Sequence, residues 1–382
     1  MLKIATVIGA RPQIIKAAAL SRAIRTRFSD SIREIIIHTG QHYDENMSQV
    51  FFQEMDIPAP DYNLGVGSSS HGKQTAAMIT GIEEILLKEK PDALVLYGDT
   101  NSTLAGAVAA SKIHVPVVHI EAGLRSFNKR MPEEINRIGC DHVSTLLFSP
   151  TKTGYENLRK EGLVSENNLP ASADNPKAYH CGDVMYDNSL YFAQLAEQKS
   201  DLLNRLSLTA GNFFLATVHR DGNTDIPERL EAIFSAFEKI SLKYECPFVI
   251  PVHPRTTKQL SGHKDLYKRL TNNPLIHLIP PASFFEMILL EKNARMIFTD
   301  SGGVQKEAFF FEKPCVILRP ETEWVELVDC GAAILADADS MRIENAAGKL
   351  IGETPGFPKL FGDGHAAEFI CSEMIRHLQK KN

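Results

Sequence analysis

Short apolar runs alternate with longer amphipathic segments along most of the chain. In the first half, residues 2–8, 34–38, 93–97, 115–120 and 146–148 are rich in Val, Ile, Leu and Ala. Runs of this length and purity suit strands buried on both faces of a parallel sheet. Between them, residues 12–27, 44–55, 72–90 and 102–113 carry the spacing of helices. A polar stretch, SENNLPASADNPK at 165–177, then reads as a loop. After it the alternation restarts, with strands expected at 213–218, 247–252, 275–279, 296–299 and 315–318. Helices are expected at 227–242, 284–291, 304–311 and 340–351, and a closing amphipathic helix at 365–380.

Strand and helix in alternation imply an α/β protein with parallel sheets covered on both sides. The restart implies two Rossmann-like domains, 1–175 and 176–364, with residues 365–382 packing back on the first. Open sheets of this kind bind ligands beyond the carboxyl ends of their strands, so the expectation is a ligand cleft between the two domains. At 382 residues, two domains of ordinary size are expected.

Composition narrows the function. Hydrophobic residues make up 43% and charged residues 23%, as in globular proteins generally, and the net charge is −6. A broad nucleic-acid surface would need a basic excess, so no nucleic-acid partner is expected. The six cysteines form no C-x-x-C pair, so neither a zinc site nor a disulfide framework is indicated. His38 and His42 are four apart, but Gly40 lies between them at a strand end, and no metal is expected. No apolar run is long enough to span a membrane, and the N-terminus enters a strand without a signal-peptide pattern; a cytoplasmic protein is expected.

Two strand-to-helix junctions suit a phosphate. The first, GARPQIIK at Gly9 to Lys16, puts Pro12 near the start of a helix, with Arg11 and Lys16 beside it. The second, TDSGGVQKEA at Thr299 to Ala308, offers Ser301 as a cap, and Gly302 and Gly303 for close backbone approach. Glu307 lies under two helical turns beyond Ser301 and could accept hydrogen bonds from ribose hydroxyls.

Acidic residues follow strands in the first half: Asp99 in YGDTNST, Glu121 in HIEAGLRS, and Glu133 with Glu134 in MPEEINR. Carboxylates at strand ends can be driven apart in pKa to give an acid and a base. They could equally form ion pairs with Arg125 and Arg137, and spacing leaves both readings open. In the second half, His219 and Arg220 follow one strand, and His253 and Arg255 follow the next. The adjacent arginines favour a polar cleft.

Taken in order, GARPQIIK, GDTNSTLAGA, HIEAGLRS, MPEEINR, VHR and TDSGGVQKEA resemble the non-hydrolysing UDP-N-acetylglucosamine 2-epimerase family over nearly the whole chain. The resemblance implies the two-domain GT-B architecture, a homodimer, a UDP-sugar substrate and no cofactor. It implies elimination of UDP across C1–C2 to a 2-acetamidoglycal, then re-addition with protonation of C2 from the opposite face. By position, Asp99, Glu121, Glu133 and His219 correspond to the family's catalytic groups. Arg11, Lys16, Arg137, Arg220, His253, Ser301, Gly302, Gly303 and Glu307 are expected to bind the UDP-sugar. The expected setting is precursor supply for a surface polysaccharide such as lipopolysaccharide.

The chain departs from the commoner family pattern in four places. Gln13 stands where Glu is usual, TEWVE (Thr322 to Glu326) replaces T-E-R-P-E, and Asp183-Val184 replaces Asn-Thr. These variants resemble the branch acting on UDP-2,3-diacetamido-2,3-dideoxyglucuronate. Loss of a negative charge at Gln13 would suit a sugar carboxylate, which makes Gln13 and Trp324 the specificity candidates. Trp324 could also simply pack. Fourth, QHYDENM (Gln41 to Met47) lacks the basic residue that some relatives use to bind an activating UDP-sugar. A GT-B glycosyltransferase, a hydrolysing 2-epimerase and a non-catalytic UDP-sugar sensor are the rival readings.

Overall fold

The computed structural model describes residues 1–40, 57–353 and 355–379. The expected helix at 44–55, His42 and the QHYDENM segment lie outside the described residues.

The chain forms two compact units, Met1–Asn188 with Lys359–Asn382, and Ser189–Pro358. The sequence reading placed its division near 175; residues 177–180 form a strand of the first sheet.

The first unit holds a seven-stranded parallel sheet in the order β3-β2-β1-β4-β5-β6-β7. Its strands are β1 Leu2–Ile8, β2 Ile32–His38, β3 Tyr62–Asn63, β4 Ala93–Tyr97, β5 Val117–Ile120, β6 Leu146–Ser149 and β7 Lys177–His180. β1 and β4 to β6 are buried at nearly every position, which is why they read as unbroken apolar runs. Helices Arg11–Arg27, His71–Glu89, Asn101–Lys112 and Pro132–Asp141 are among those that cover the sheet. Small residues line the Asn101–Lys112 helix: Ala105, Ala107, Ala109 and Ala110 are fully buried against Leu94 and Leu96 of β4. The closing helix Ala366–Leu378 packs on Arg11–Arg27, where Arg27 pairs with Glu368 at 3.1 Å. Its first N–H groups, from Ala366 and Ala367, donate to the Asp187 carboxylate at 3.2 and 2.8 Å.

The second unit holds a six-stranded parallel sheet in the order β10-β9-β8-β11-β12-β13. Its strands are β8 Phe214–Thr217, β9 Phe248–Pro251, β10 Ile276–Ile279, β11 Met296–Thr299, β12 Cys315–Ile317 and β13 Ala333–Leu335. Phenylalanines from three strands and one helix fill its core, with the Phe237 and Phe248 rings stacked at 4.6 Å. Each sheet runs outward in both directions from its first strand, so each has a switch point: between β1 and β4, and between β8 and β11. Those points are where open α/β sheets leave a crevice for a ligand.

Candidate functional site

In the first unit, β1 ends at Ile8 and the chain turns through Gly9 into the helix Arg11–Arg27. The turn has no room for a side chain at Gly9. A Cβ there would stand 2.2 Å from both Ser102 Oγ and Thr39 Oγ1. Gln13 ties the turn down. Its Oε1 accepts the N–H groups of Gly9 and Ala10 at 2.9 and 3.2 Å, and its amide donates to Tyr97 C=O at 2.9 Å and Thr103 Oγ1 at 3.0 Å. Gln13 is 1% exposed. The structure therefore uses this specificity candidate to join the β1 turn to β4, and any effect it has on a ligand acts through that turn. Arg11, at the helix start, is exposed.

Lys16 Nζ is ion-paired with Glu121 Oε2, both side chains being largely buried. Glu121 follows β5 with φ of +74°, a left-handed conformation uncommon for a residue other than glycine. Gly98, at the end of β4, faces the same pair. A Cβ on Gly98 would lie 3.2 Å from Lys16 Nζ and 3.3 Å from Glu121 Oε2. The next residue, Asp99, pairs with Arg137, which continues to Glu134 at 3.1 Å. Glu134 is buried and also accepts the N–H groups of Ser126 and Phe127, both at 2.9 Å. Glu133, in the first turn of Pro132–Asp141, is exposed.

This is a set of opposite charges at the switch point, and its protonation is correspondingly perturbed. Burial raises the Asp99 carboxyl above the usual range; Lys16 and Arg137 pull it back, while Glu121 and Glu133 add to the rise. Burial disfavours the Lys16 cation, but Glu121, Asp99 and Asp183 more than offset it and raise its pKa.

Beneath the set runs a buried relay. His119 Nε2 meets the Gly98 carbonyl at 2.8 Å, and its Nδ1 meets Asp141 Oδ1 at 2.6 Å, with both side chains fully buried. A carbonyl and a carboxylate can only accept, so both ring nitrogens donate and His119 is an imidazolium. Asp141 Oδ2 takes the Gly123 N–H at 3.1 Å and Arg125 at 2.7 Å. Arg125 thus has the structural role that the sequence left open. Arg137, by contrast, touches Asp99 directly.

In the second unit, Asp300 organises the junctions after β8 and β11. Fully buried, it accepts the backbone N–H groups of His219 and Arg220, at 3.1 and 3.0 Å, and the Asn223 amide at 3.0 Å. His219 Nδ1 stands 3.0 Å from Asp300 Oδ1, leaving the half-exposed ring aimed by a carboxylate. Burial opposes the Asp300 charge, but these donors hold its pKa below the usual value. Ser301 caps the helix Gly302–Phe310, its Oγ accepting the Val304 N–H at 3.4 Å. Trp324 is largely buried; its indole N–H donates to the Gly302 carbonyl at 3.0 Å, and Lys306 Nζ lies 4.4 Å from its ring centre. Trp324 thus packs under the glycine turn. Glu307 is half-buried on the same helix, beside Glu291. Arg220 and His253 are exposed; His253 caps the helix Pro254–Gly262. Among the described residues no group of three or more His, Cys, Asp or Glu could hold a metal, and no helix is long and apolar enough to cross a membrane.

A family model described as UDP-N-acetylglucosamine 2-epimerase matches residues 25–375. The chain belongs to this family. It is a UDP-sugar 2-epimerase, an isomerase. A UDP-N-acetylglucosamine 2-epimerase homolog of Methanococcus maripaludis is 48% identical over 99% of this chain and 100% of the relative. The UDP-2,3-diacetamido-2,3-dideoxy-D-glucuronate 2-epimerase of Pseudomonas aeruginosa is 46% identical over 98% of this chain and 100% of its own. The crystal structure of Methanocaldococcus jannaschii UDP-GlcNAc 2-epimerase in complex with UDP-GlcNAc and UDP superposes with a TM-score of 0.78. It is 40% identical and covers 98% of this chain and 100% of that one. The two parallel sheets of this epimerase are those of the GT-B-like fold, as the family resemblance implied.

Sequence reasoning singled out none of His119, Asp141, Asp300 and Glu291 as site residues. Asp300 had a readable signal, since an acid between a buried strand and a Ser-Gly-Gly turn must find donors nearby. Asp141 had none, because its partner lies 22 residues away across a strand boundary.

Proposed function

We propose that this epimerase inverts C2 of a UDP-activated 2-acetamido sugar by elimination and re-addition of UDP. The reading rests on one observation above the others: Asp99 and Glu121 share the neighbourhood of a single buried Lys16 at the switch point of the first sheet. In the first step a carboxylate takes the C2 proton. The C2–H electrons form the C1=C2 bond as the C1–O bond to the diphosphate breaks. UDP then adds back at C1 while C2 takes a proton on the opposite face. Two groups able to take and give a proton are needed, and Asp99, whose pKa burial raises, with the Lys16-paired Glu121 supplies such a pair.

The diphosphate gathers negative charge as it leaves. In the first unit Arg11 and Lys16 suit that charge, and in the second unit the start of the helix Gly302–Phe310 suits a phosphate. His219, aimed by Asp300, and Arg220 and His253 complete the nucleotide side, and Glu307 suits the ribose. Glu133 and Arg137 flank Asp99.

The substrate we propose is UDP-2,3-diacetamido-2,3-dideoxyglucuronate rather than UDP-N-acetylglucosamine. The Gln13, TEWVE and Asp183-Val184 variants, which resemble that branch, support it. Incubation of the purified protein with each sugar in D2O is the test. Deuterium at C2 and an equilibrated epimer are expected with the diacetamido uronate. Turnover of UDP-N-acetylglucosamine alone would reverse the preference, free UDP rising with product would mean hydrolysis, and no exchange with either would refute the reading. A homodimer, tested by light scattering, and a cytoplasmic role in surface-polysaccharide precursor supply complete the proposal.

A further inference from the structure

Glu291 lies in the last turn of the helix Phe284–Asn293, which packs against the helix Gly302–Phe310 that carries Glu307. It is 1% exposed, and neither carboxyl oxygen receives a hydrogen bond from any donor. On the facing helix, the Glu307 carboxyl is the charged group that acts on it. A buried carboxyl facing another carboxyl, with no cation of its own, cannot be stable with both ionised; a proton must lie between them. Glu291 is the more enclosed of the two, and Lys306 favours the charge on Glu307. Both features bias the shared proton toward Glu291.

We propose that Glu291 is a positioning residue for the nucleotide, a neutral acid whose O–H donates to Glu307 and orients its carboxylate toward the ribose hydroxyls. The inference rests on the assignment of Glu307 to the ribose. Glu291 does not itself touch substrate. Its burial and the burial of Glu307 raise both pKa values, that of Glu291 well above the carboxylate range, in the sense the arrangement requires. The helix pair gives the reason for an acid here rather than an apolar residue. Without the donor, the Glu307 carboxylate would lose the partner that orients it, and the side chain would turn to find another.

The experiment compares the affinities of UDP and 2′-deoxy-UDP by calorimetry for the full-length wild type, Glu291→Leu, Glu291→Gln and Glu307→Gln. A Leu fills the space without a donor; a Gln keeps one. The expected result is that Glu291→Leu weakens UDP about ten-fold but 2′-deoxy-UDP less than three-fold, and raises KM with kcat unchanged. Glu291→Gln should keep the wild-type preference for UDP, and this variant alone decides the matter if the Leu variant does not fold. Equal weakening of both nucleotides, unchanged binding in Glu291→Leu, or a lost preference in folded Glu291→Gln would each overturn the proposal. If Glu307→Gln keeps the wild-type preference, the ribose assignment itself fails, which is a separate outcome.

Discussion

Glu121 holds a left-handed backbone, φ +74°, while its carboxylate is paired with Lys16 from another element. Such a conformation costs a non-glycine residue on the order of 1 kcal/mol and persists only where the surroundings fix it. Here β6 fixes it from one side, through the Glu121 N–H to Phe148 C=O bond at 3.0 Å, and Lys16 from the other. Lys16→Met would leave the Asp99 and Glu121 carboxylates without their shared cation. The expected outcome is a rise in the Asp99 pKa and a fall in kcat of about a hundred-fold or more, read from the pH profile of turnover.

Glycine at position 9 is required by contact, because two hydroxyl oxygens already occupy the space a Cβ would need. Gly9→Ala should destabilise the protein by about 3 kcal/mol or more, through displacement of Ser102 and Thr39 and loss of the Gln13 bonds. Gly72→Ala is the control. Nothing lies within 4 Å of a Cβ there, and the helical site should gain up to about 1 kcal/mol. Urea denaturation of both variants checks the contrast.

The His119–Asp141 pair is fully buried, so removing one charge should cost more than the pair contributes. Asp141→Asn is expected to destabilise by about 3–5 kcal/mol. Burial works against the His119 imidazolium, but Cys140 and Asp141 outweigh it and place its pKa well above 6.5. A raised histidine stabilises fully below the unfolded value and loses that contribution as pH rises through the folded value. The wild-type advantage over Asp141→Asn should therefore be largest near pH 6.5 and below, and shrink in alkali, as denaturation across pH will show.

Asp187 carries the same sign in a more acid range. Burial raises its pKa from 3.8 to about 6, against the Ala366 and Ala367 N–H groups that favour the carboxylate. Between those values the folded protein holds a proton that the unfolded chain has released, so this group's contribution to stability grows as pH falls from about 6 to about 3.8. Asp187→Asn should remove that gain, on the order of 3 kcal/mol, and flatten the stability profile over the same range.

The sheets were legible because parallel strands buried on both faces leave apolar runs that no helix period can mimic. The bounds expected for β1, β4 and β11 are those observed. The short strands β3, β7 and β13 were missed. Tyr62–Asn63 and Lys177–His180 are polar, and their place is set by pairing with β2 and β6, which is a tertiary fact. Asp99 and Glu121 stood out by following strands, and Lys16 by its place in the helix opened by GARPQIIK; the structure brings them together with Arg137. Gln13 was read as facing a ligand, and its four internal bonds to Gly9, Ala10, Tyr97 and Thr103 could not be foreseen. The partner residues lie up to 90 positions away.

The central claim is that Asp99 and Glu121 move the C2 proton while other groups hold the nucleotide. Deuterium uptake at C2, followed by NMR in D2O for Asp99→Asn and Glu121→Gln with UDP affinity measured in parallel, tests it most directly. The account predicts exchange slowed at least about a hundred-fold in both variants, with UDP affinity within a few-fold of wild type. Exchange at the wild-type rate in either variant would contradict it.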